Sequence, residues 1–355
     1  MRPKIVHIVG ARPNFVKMAP VHHKLSDRGV CQNILHSGQH YDDKMSSEIL
    51  SDLNLPIPDY NLDVGSNTHA KQLAKMMTGM EEILIKLNPN CVFVYGDVNT
   101  TLAGAITAKK LNLKVAHVES GLRSGDVSMP EEQNRKMVDS ISDLLFVTEE
   151  SGMINLRKEN CVGKAYFAGN TMIDSLSNVF IGQNKDYKDF VIISFHRPSN
   201  VDNKDSLKSI LEFIKRADQT FLWPIHYRAK YSIESFGLDF EFNQLNNLKM
   251  VEPMVYSDFI KIVSKAKCVI TDSGGVQEET TYLNIPCLTY RTSTERPATI
   301  DQGSNTLAPT FDIVEENLDK IGRGTYKTSK IPQYWDGKAS ERIVKQIQLL
   351  NLFEQ

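Results

Sequence analysis

The sequence predicts an α/β protein built from two doubly wound domains that face a cleft. Three observations carry that reading. Short β-branched or aromatic runs alternate with amphipathic helical stretches from end to end, as in parallel sheets covered on both faces. The 355 residues exceed one ordinary core and suit two. Every chemically loaded motif falls just after a predicted strand, where doubly wound folds hold their ligands.

In chain order, strands are expected at 4–9, 33–36, 91–95, 115–118, 144–147 and 165–168, then at 191–195, 221–225, 249–252, 268–270 and 287–290. Residues 177–189, rich in Asn, Lys, Gly and Asp, interrupt the pattern and read as a linker and hinge. A last helix is expected at 340–352, beyond Pro332. The expected division is therefore 1–172 and 173–337, with 338–355 returning to the first domain.

A net charge of -2 and a pI near 6.5 leave no global field to recruit nucleic acid or an anionic membrane, so neither is an expected partner. Cys31, Cys91, Cys161, Cys268 and Cys287 are scattered, without metal-ligand spacing, and read as reduced thiols of a cytoplasmic protein. The N-terminal apolar run is short and no cleavage signal follows it. No apolar run approaches the roughly 20 residues of a membrane span.

The segment Thr271-Asp-Ser-Gly-Gly-Val-Gln-Glu-Glu279 leaves an apolar strand and opens a helix. Free N–H groups, the positive end of the helix dipole and two residues without a Cβ let a diphosphate approach Ser273, Gly274 and Gly275. Glu279 then stands about one and a half turns into the helix, within reach of a ribose hydroxyl. A lone Ser-Gly-Gly favours an ordinary turn, so the other motifs decide.

Gly10-Ala-Arg-Pro-Asn-Phe-Val-Lys17 offers backbone donors and two cations, Arg12 and Lys17, to a phosphate or sugar. Ser37-Gly-Gln-His-Tyr41 is weaker, and a structural role suits His40. Gly96-Asp-Val-Asn-Thr-Thr101 brings Asp97 to the cleft, where a carboxylate is as often a helix cap as a catalyst. His117-Val-Glu-Ser-Gly-Leu-Arg123 ends a strand at Glu119, and Pro130-Glu-Glu-Gln-Asn-Arg135 starts a helix at Glu131. Asp97, Glu119 and Glu131 are expected in one pocket with Arg12, Lys17 and Arg123, a setting that suits proton transfer at an unactivated carbon. Glu131 alternatively serves as a first-turn acid beside the helix dipole.

In the second half, Ser194-Phe-His-Arg-Pro-Ser-Asn200 exposes His196 and Arg197, and Thr294-Glu-Arg-Pro297 supplies Arg296 to complete a diphosphate clamp. Gly-x-Gly-x-x-Gly, Gly-x4-Gly-Lys-Ser/Thr and Gly-x-Ser-x-Gly are absent, which argues against nicotinamide, P-loop and serine-hydrolase chemistry.

Taken in order, Gly10-Ala-Arg-Pro, Ser37-Gly-Gln-His, Gly96-Asp97, His117-Val-Glu-Ser-Gly-Leu-Arg, Pro130-Glu-Glu-x-Asn-Arg, Phe195-His-Arg, Asp272-Ser-Gly-Gly-x-Gln-Glu-Glu and Thr294-Glu-Arg-Pro resemble the motifs of the non-hydrolysing UDP-N-acetylglucosamine 2-epimerases. The resemblance runs from about residue 5 to about residue 307. It implies two Rossmann-like domains in a glycosyltransferase-B-like arrangement, and a cytoplasmic homodimer that acts on a UDP-sugar with no metal or redox cofactor.

By position, the resemblance assigns Arg12 and Lys17 to the first-domain side of the nucleotide-sugar site, and Asp97, Glu119 and Glu131 to the sugar's C2 and C3. His196, counted with the catalytic residues, and Arg296 would contact a diphosphate cradled by Ser273, Gly274 and Gly275. Glu279 matches the ribose-binding acid, Phe259 the aromatic beside uracil, and Met254 a base contact made through its backbone. His196-Arg-Pro-Ser-Asn departs from the more usual His-Arg-Arg-Glu-Asn.

The implied reaction is anti elimination of UDP to 2-acetamidoglucal followed by syn re-addition, because the C2 proton of an N-acetyl sugar is not acidic enough for direct exchange. Three alternatives stay open: a hydrolysing epimerase releasing N-acetylmannosamine and UDP, a 2-epimerase of a modified sugar such as a diacetamido uronate, and a glycosyltransferase of the same fold.

Overall fold

A computed structural model describes residues 5–38, 43–179 and 189–352, with side chains at 43–46 left aside. His40 and most of the expected linker lie outside the described residues. The chain divides into two compact units, Met1–Asn178 with Gln333–Gln355, and Val179–Pro332.

The first unit holds a parallel sheet of strands β1 (Ile5–Val9), β2 (Gln32–His36), β3 (Tyr60–Asn61), β4 (Cys91–Tyr95), β5 (Lys114–Ser120), β6 (Leu144–Val147) and β7 (Lys164–Phe167). Their spatial order is β3-β2-β1-β4-β5-β6-β7. The central strands β1 and β4 are buried at every position, and their Ile-Val-His-Ile-Val and Cys-Val-Phe-Val-Tyr runs lack the alternation of a one-sided sheet because helices cover both faces. His7 is the polar exception inside β1, and it lies within hydrogen-bond distance of the Tyr95 hydroxyl (2.7 Å) and Gln32 Oε1 (2.8 Å).

The second unit repeats the plan with β8 (Val191–Ser194), β9 (Phe221–Pro224), β10 (Leu248–Val251), β11 (Cys268–Thr271), β12 (Cys287–Thr289) and β13 (Asn305–Leu307), in the parallel order β10-β9-β8-β11-β12-β13. Its helix Lys204–Arg216 shows how the pattern works. Leu207, Ile210, Leu211 and Ile214 share the buried stripe, while Asn203 caps the start by accepting from the amides of Asp205 (2.8 Å) and Ser206 (3.2 Å).

The expected strands are present to within a residue or two at each end. The structure adds β3 and β13, two and three residues long, too short for any periodicity to show.

The units divide later than 172 and earlier than 337. The helix Thr171–Ser177 belongs to the first unit because Ser175 Oγ donates to Val16 O at 2.6 Å. The chain is back in that unit by Gln333 because Trp335 Nε1 donates to Thr148 O at 3.0 Å. The closing helix runs Ala339–Leu349, and its first amides, Ala339 N and Ser340 N, donate to the Asp174 carboxylate (3.0 and 2.7 Å). Burial pushes the Asp174 carboxyl up against those stabilising donors. Among the described residues no helix is long and apolar enough to cross a membrane.

Candidate active site

In each unit the strand order reverses once, between β1 and β4 and between β8 and β11. Loops leaving two such neighbours run to opposite faces of the sheet and open a crevice at the carboxyl ends of the strands. Arg12 and Asp97 follow β1 and β4, and His196 and Ser273 to Gly275 follow β8 and β11, at these two points, whereas Glu119 ends the neighbouring β5 and Met254 follows the edge strand β10.

In the first unit, the loop after β1 is fixed by Asn14. Its Oδ1 accepts from Gly10 N and Ala11 N (3.0 Å each) and its Nδ2 donates to Tyr95 O (2.9 Å), so one side chain ties the ends of β1 and β4 together. Position 10 admits only glycine, since a Cβ there would stand 2.0 Å from Thr100 Oγ1 and 2.6 Å from Ser37 Oγ. Arg12 begins the following helix, Arg12–Ser26, half-buried, and Lys17 lies one turn further on, buried.

Lys17 Nζ donates to Glu119 Oε1 at 2.6 Å. Glu119 occupies a left-handed backbone conformation (φ +76°) where the pairing of β5 with β6 slips between Val118 and Ser120. A non-glycine residue is held there only when its surroundings over-determine it, and the buried Lys17 pair supplies part of that constraint.

Asp97 follows Gly96, which has φ +66°. The helix Asn99–Lys110 receives no side-chain cap, so the capping alternative for Asp97 does not apply. Its carboxylate instead meets Arg135 Nη1, with a fifth of the Asp97 side-chain surface open, while Asn134 Nδ2 donates to its carbonyl at 2.8 Å. Glu131, half-buried, sits in the first turn of the helix Pro130–Ile141, and no ion pair joins it to a described residue.

Arg123 corrects the expected cluster of cations. Its guanidinium is taken by Asp139 (2.8 Å) and Glu159 (2.6 Å), and it does not join Asp97 or Glu119. Asp139 also faces His117 Nδ1 at 2.7 Å, and His117 Nε2 donates to Gly96 O at 2.8 Å, so this buried group underpins the Asp97 loop from below. Burial disfavours the Asp139 charge, yet His117 and Arg123 hold its carboxyl below the usual range.

In the second unit Asp272 organises the loop after β8. Its buried carboxylate accepts from His196 N (3.2 Å), Arg197 N (3.0 Å) and Asn200 Nδ2 (2.8 Å), and His196 Nδ1 lies 2.9 Å away. Burial works against that charge, and His196 and Asn200 more than offset it, leaving the carboxyl below its ordinary value. With Nδ1 committed to Asp272, the exposed edge of the His196 ring presents Nε2. The departure at Pro198 is absorbed locally, because proline starts the short helix Pro198–Val201, where its missing N–H costs nothing, and Asn200 keeps its bond to Asp272.

Ser273 precedes the helix Gly274–Leu283, whose first N–H groups have no intrahelical acceptor. A Cβ on Gly274 would stand 2.6 Å from Arg296 Nη1, so the guanidinium lies against the start of this helix. Arg296 is buried and paired with Glu278 (2.9 Å) and Glu295, and Glu295 also meets Arg291 (2.9 Å). Gln277 locks the surround: Nε2 donates to Ser273 O (3.0 Å), and Oε1 accepts from Thr294 Oγ1 (2.7 Å) and Asn305 Nδ2 (3.0 Å). Glu279 is buried on the same helix. Met254 is half-buried just before the helix Tyr256–Val263, and Phe259 packs from that helix against the apolar cluster that contains Val263, Val269 and Val276.

Sequence reasoning passed over Asp272, Gln277, Glu278, Arg135 and Glu132, all inside quoted motifs. Arg135 three residues after Glu132 on one helix is a visible ion-pair spacing; the partners of Asp272 are more than seventy residues away and leave no local trace.

The family model for UDP-N-acetylglucosamine 2-epimerase matches residues 23–348. The chain is 38% identical to UDP-N-acetylglucosamine 2-epimerase of Methanocaldococcus jannaschii over 96% of its own length and 98% of the relative's. It is 34% identical to UDP-2,3-diacetamido-2,3-dideoxy-D-glucuronate 2-epimerase of Pseudomonas aeruginosa, with the same coverage. A crystal structure of the M. jannaschii UDP-GlcNAc 2-epimerase in complex with UDP-GlcNAc and UDP superposes with a TM-score of 0.89 at 36% identity, covering 97% of this chain and 99% of that one. The two parallel sheets are those of the glycosyltransferase-B-like epimerases. Fold, motif order and overall similarity agree, and the chain belongs to the UDP-N-acetylglucosamine 2-epimerase family.

Proposed function

We propose that this protein is a UDP-sugar 2-epimerase that interconverts UDP-N-acetylglucosamine and UDP-N-acetylmannosamine without net hydrolysis. The observation that carries the reading is the pairing of two carboxylates at one switch point with two buried cations, Lys17 with Glu119 and Arg135 with Asp97. Such an arrangement keeps basic carboxylates in place beside a reacting carbon, which a protein that only binds a nucleotide sugar does not need.

In this reading the second unit takes the nucleotide. The N-terminus of the helix Gly274–Leu283, His196 and Arg296 stabilise the diphosphate as it leaves C1, Glu279 takes the ribose, and Met254 and Phe259 lie by the base. The first unit works on the sugar, with Arg12 and Lys17 as cations and Asp97, Glu119 and Glu131 as the acids and bases. A carboxylate removes the C2 proton as the C1–O bond breaks, giving 2-acetamidoglucal and UDP. A proton then adds to the opposite face of C2 while UDP re-forms the bond to C1. Proton and UDP are both returned, so the cycle consumes no oxidant, reductant or water. The protein is further proposed to act as a cytoplasmic homodimer.

A second substrate is tested beside the first because the P. aeruginosa relative is named for a diacetamido uronate. Purified protein is incubated with each UDP-sugar and followed by proton and phosphorus NMR. The expected product is the C2 epimer still attached to UDP. Free N-acetylmannosamine with stoichiometric UDP would replace this reading with hydrolysing epimerisation, and turnover only when a sugar acceptor is added would replace it with glycosyl transfer.

A further inference from the structure

We propose that Glu132 and Arg135 are positioning residues that aim the Asp97 carboxylate at the sugar, an inference that rests on the function proposed above. The Arg135 side chain is almost wholly buried, as is that of Glu132, whereas Asp97 keeps a fifth of its side-chain surface open. The three form one chain of charge. Glu132 Oε2 accepts from Arg135 Nε (3.2 Å) and Nη2 (3.1 Å), and Arg135 Nη1 reaches Asp97 Oδ2.

Glu132 is fixed in turn by the loop after β5. It accepts from Ser124 N (2.9 Å), Ser124 Oγ (3.1 Å) and Gly125 N (3.2 Å). Burial disfavours its charge, but those donors and the Arg135 guanidinium hold its carboxyl below the ordinary value. The planar guanidinium thus has one edge locked on a fully satisfied acid and the other on the acid that faces outward. Asn134, next to Arg135 on the helix Pro130–Ile141, grips the same residue at its carbonyl (2.8 Å). Both ends of Asp97 are therefore set by one helix, whose first turn also carries Glu131.

A buried ion pair is weak evidence for a stabilising role, since two matched apolar groups often serve stability as well. Orientation is what the geometry supplies here, and Lys in place of Arg would keep the charge but lose the fork.

The test uses the full-length protein and measures kcat, UDP affinity by calorimetry, melting temperature and release of 2-acetamidoglucal. Arg135→Met is expected to lower kcat on the order of a hundredfold, as a misplaced catalytic group does, with UDP affinity unchanged and glycal release increased. Arg135→Lys should fall between this variant and wild type. If Arg135→Met fails to fold, the double variant Glu132→Gln/Arg135→Met, which removes both charges together, carries the test. Wild-type kcat in a folded variant, or loss of UDP affinity in step with kcat, overturns the positioning role. A wild-type protein inactive on both UDP-sugars overturns the proposed function instead.

Discussion

Lys17 and Glu119, brought together from the first helix and the fifth strand, form an ion pair of 2.6 Å with both side chains more than nine-tenths buried. The pair sits directly beneath Gly96, where an added Cβ would stand 2.9 Å from Lys17 Nζ. The loops that carry Asp97 and Glu119 thereby meet at one ammonium group. Its geometry holds the Glu119 carboxylate in one orientation, as a group that works on a C–H bond requires.

Removing each acid should therefore affect chemistry before binding. Asp97→Asn, Glu119→Gln and Glu131→Gln are each expected to lower kcat by roughly two to four orders of magnitude, with UDP affinity by calorimetry close to wild type. A loss of affinity equal to the loss of rate would move the residue from catalysis to binding.

Substitutions in the second unit should show the opposite split. Gly274→Ala drives a methyl into the Arg296 guanidinium and is expected to raise KM about tenfold, the loss of roughly one charge-assisted hydrogen bond, with a smaller change in kcat. Gly275→Val and Glu279→Gln should weaken UDP in the same sense. Arg296→Ala removes the cation from Glu278 and Glu295 as well, so it should also lower stability, by about 3–5 kcal/mol. Thermal denaturation with and without UDP separates the two effects, and UDP affinity retained in all four variants would remove the second unit from the nucleotide site.

His7 gives the fold an acid sensitivity of defined sign. Burial pushes its pKa down to about 3, with His22 beside it adding to the effect. The folded state holds a neutral ring, and the unfolded chain binds a proton near pH 6.5, so stability is full above that value and is lost as pH falls toward 3. At about pH 5 the loss from this group alone reaches about 2 kcal/mol. His7→Gln should flatten the melting temperature between about pH 4 and 6.5, whereas an unchanged slope would assign the acid sensitivity to other groups.

Much of this was legible in the sequence because doubly wound folds write their sites into loops at strand ends. Gly10, Gly96 and the Ser273 to Gly275 turn could be placed without a structure, since each follows a continuous apolar run. What stayed hidden was pairing. Arg123 shares a motif with Glu119, but Asp139 sixteen residues on and Glu159 thirty-six residues on claim it. Arg135 ends a readable motif, yet its contact with Asp97, thirty-eight residues away, depends on how the helix Pro130–Ile141 is set against β5 and the helix Asn99–Lys110. The strands β3 and β13 escaped for a simpler reason: two or three residues carry no period.

The central claim is breakage of the C2–H bond with departure of UDP, and epimerisation run in D2O tests it most directly. The carboxylate that takes the proton is not required to return it to the opposite face, so exchange with solvent is expected. Elimination and re-addition predict product with deuterium at C2, scrambling of an oxygen label between the bridging and non-bridging positions of the diphosphate, and traces of 2-acetamidoglucal and UDP on long incubation. Full retention of protium at C2 with no scrambling would contradict elimination, and with it the roles given to Asp97, Glu119 and Glu131.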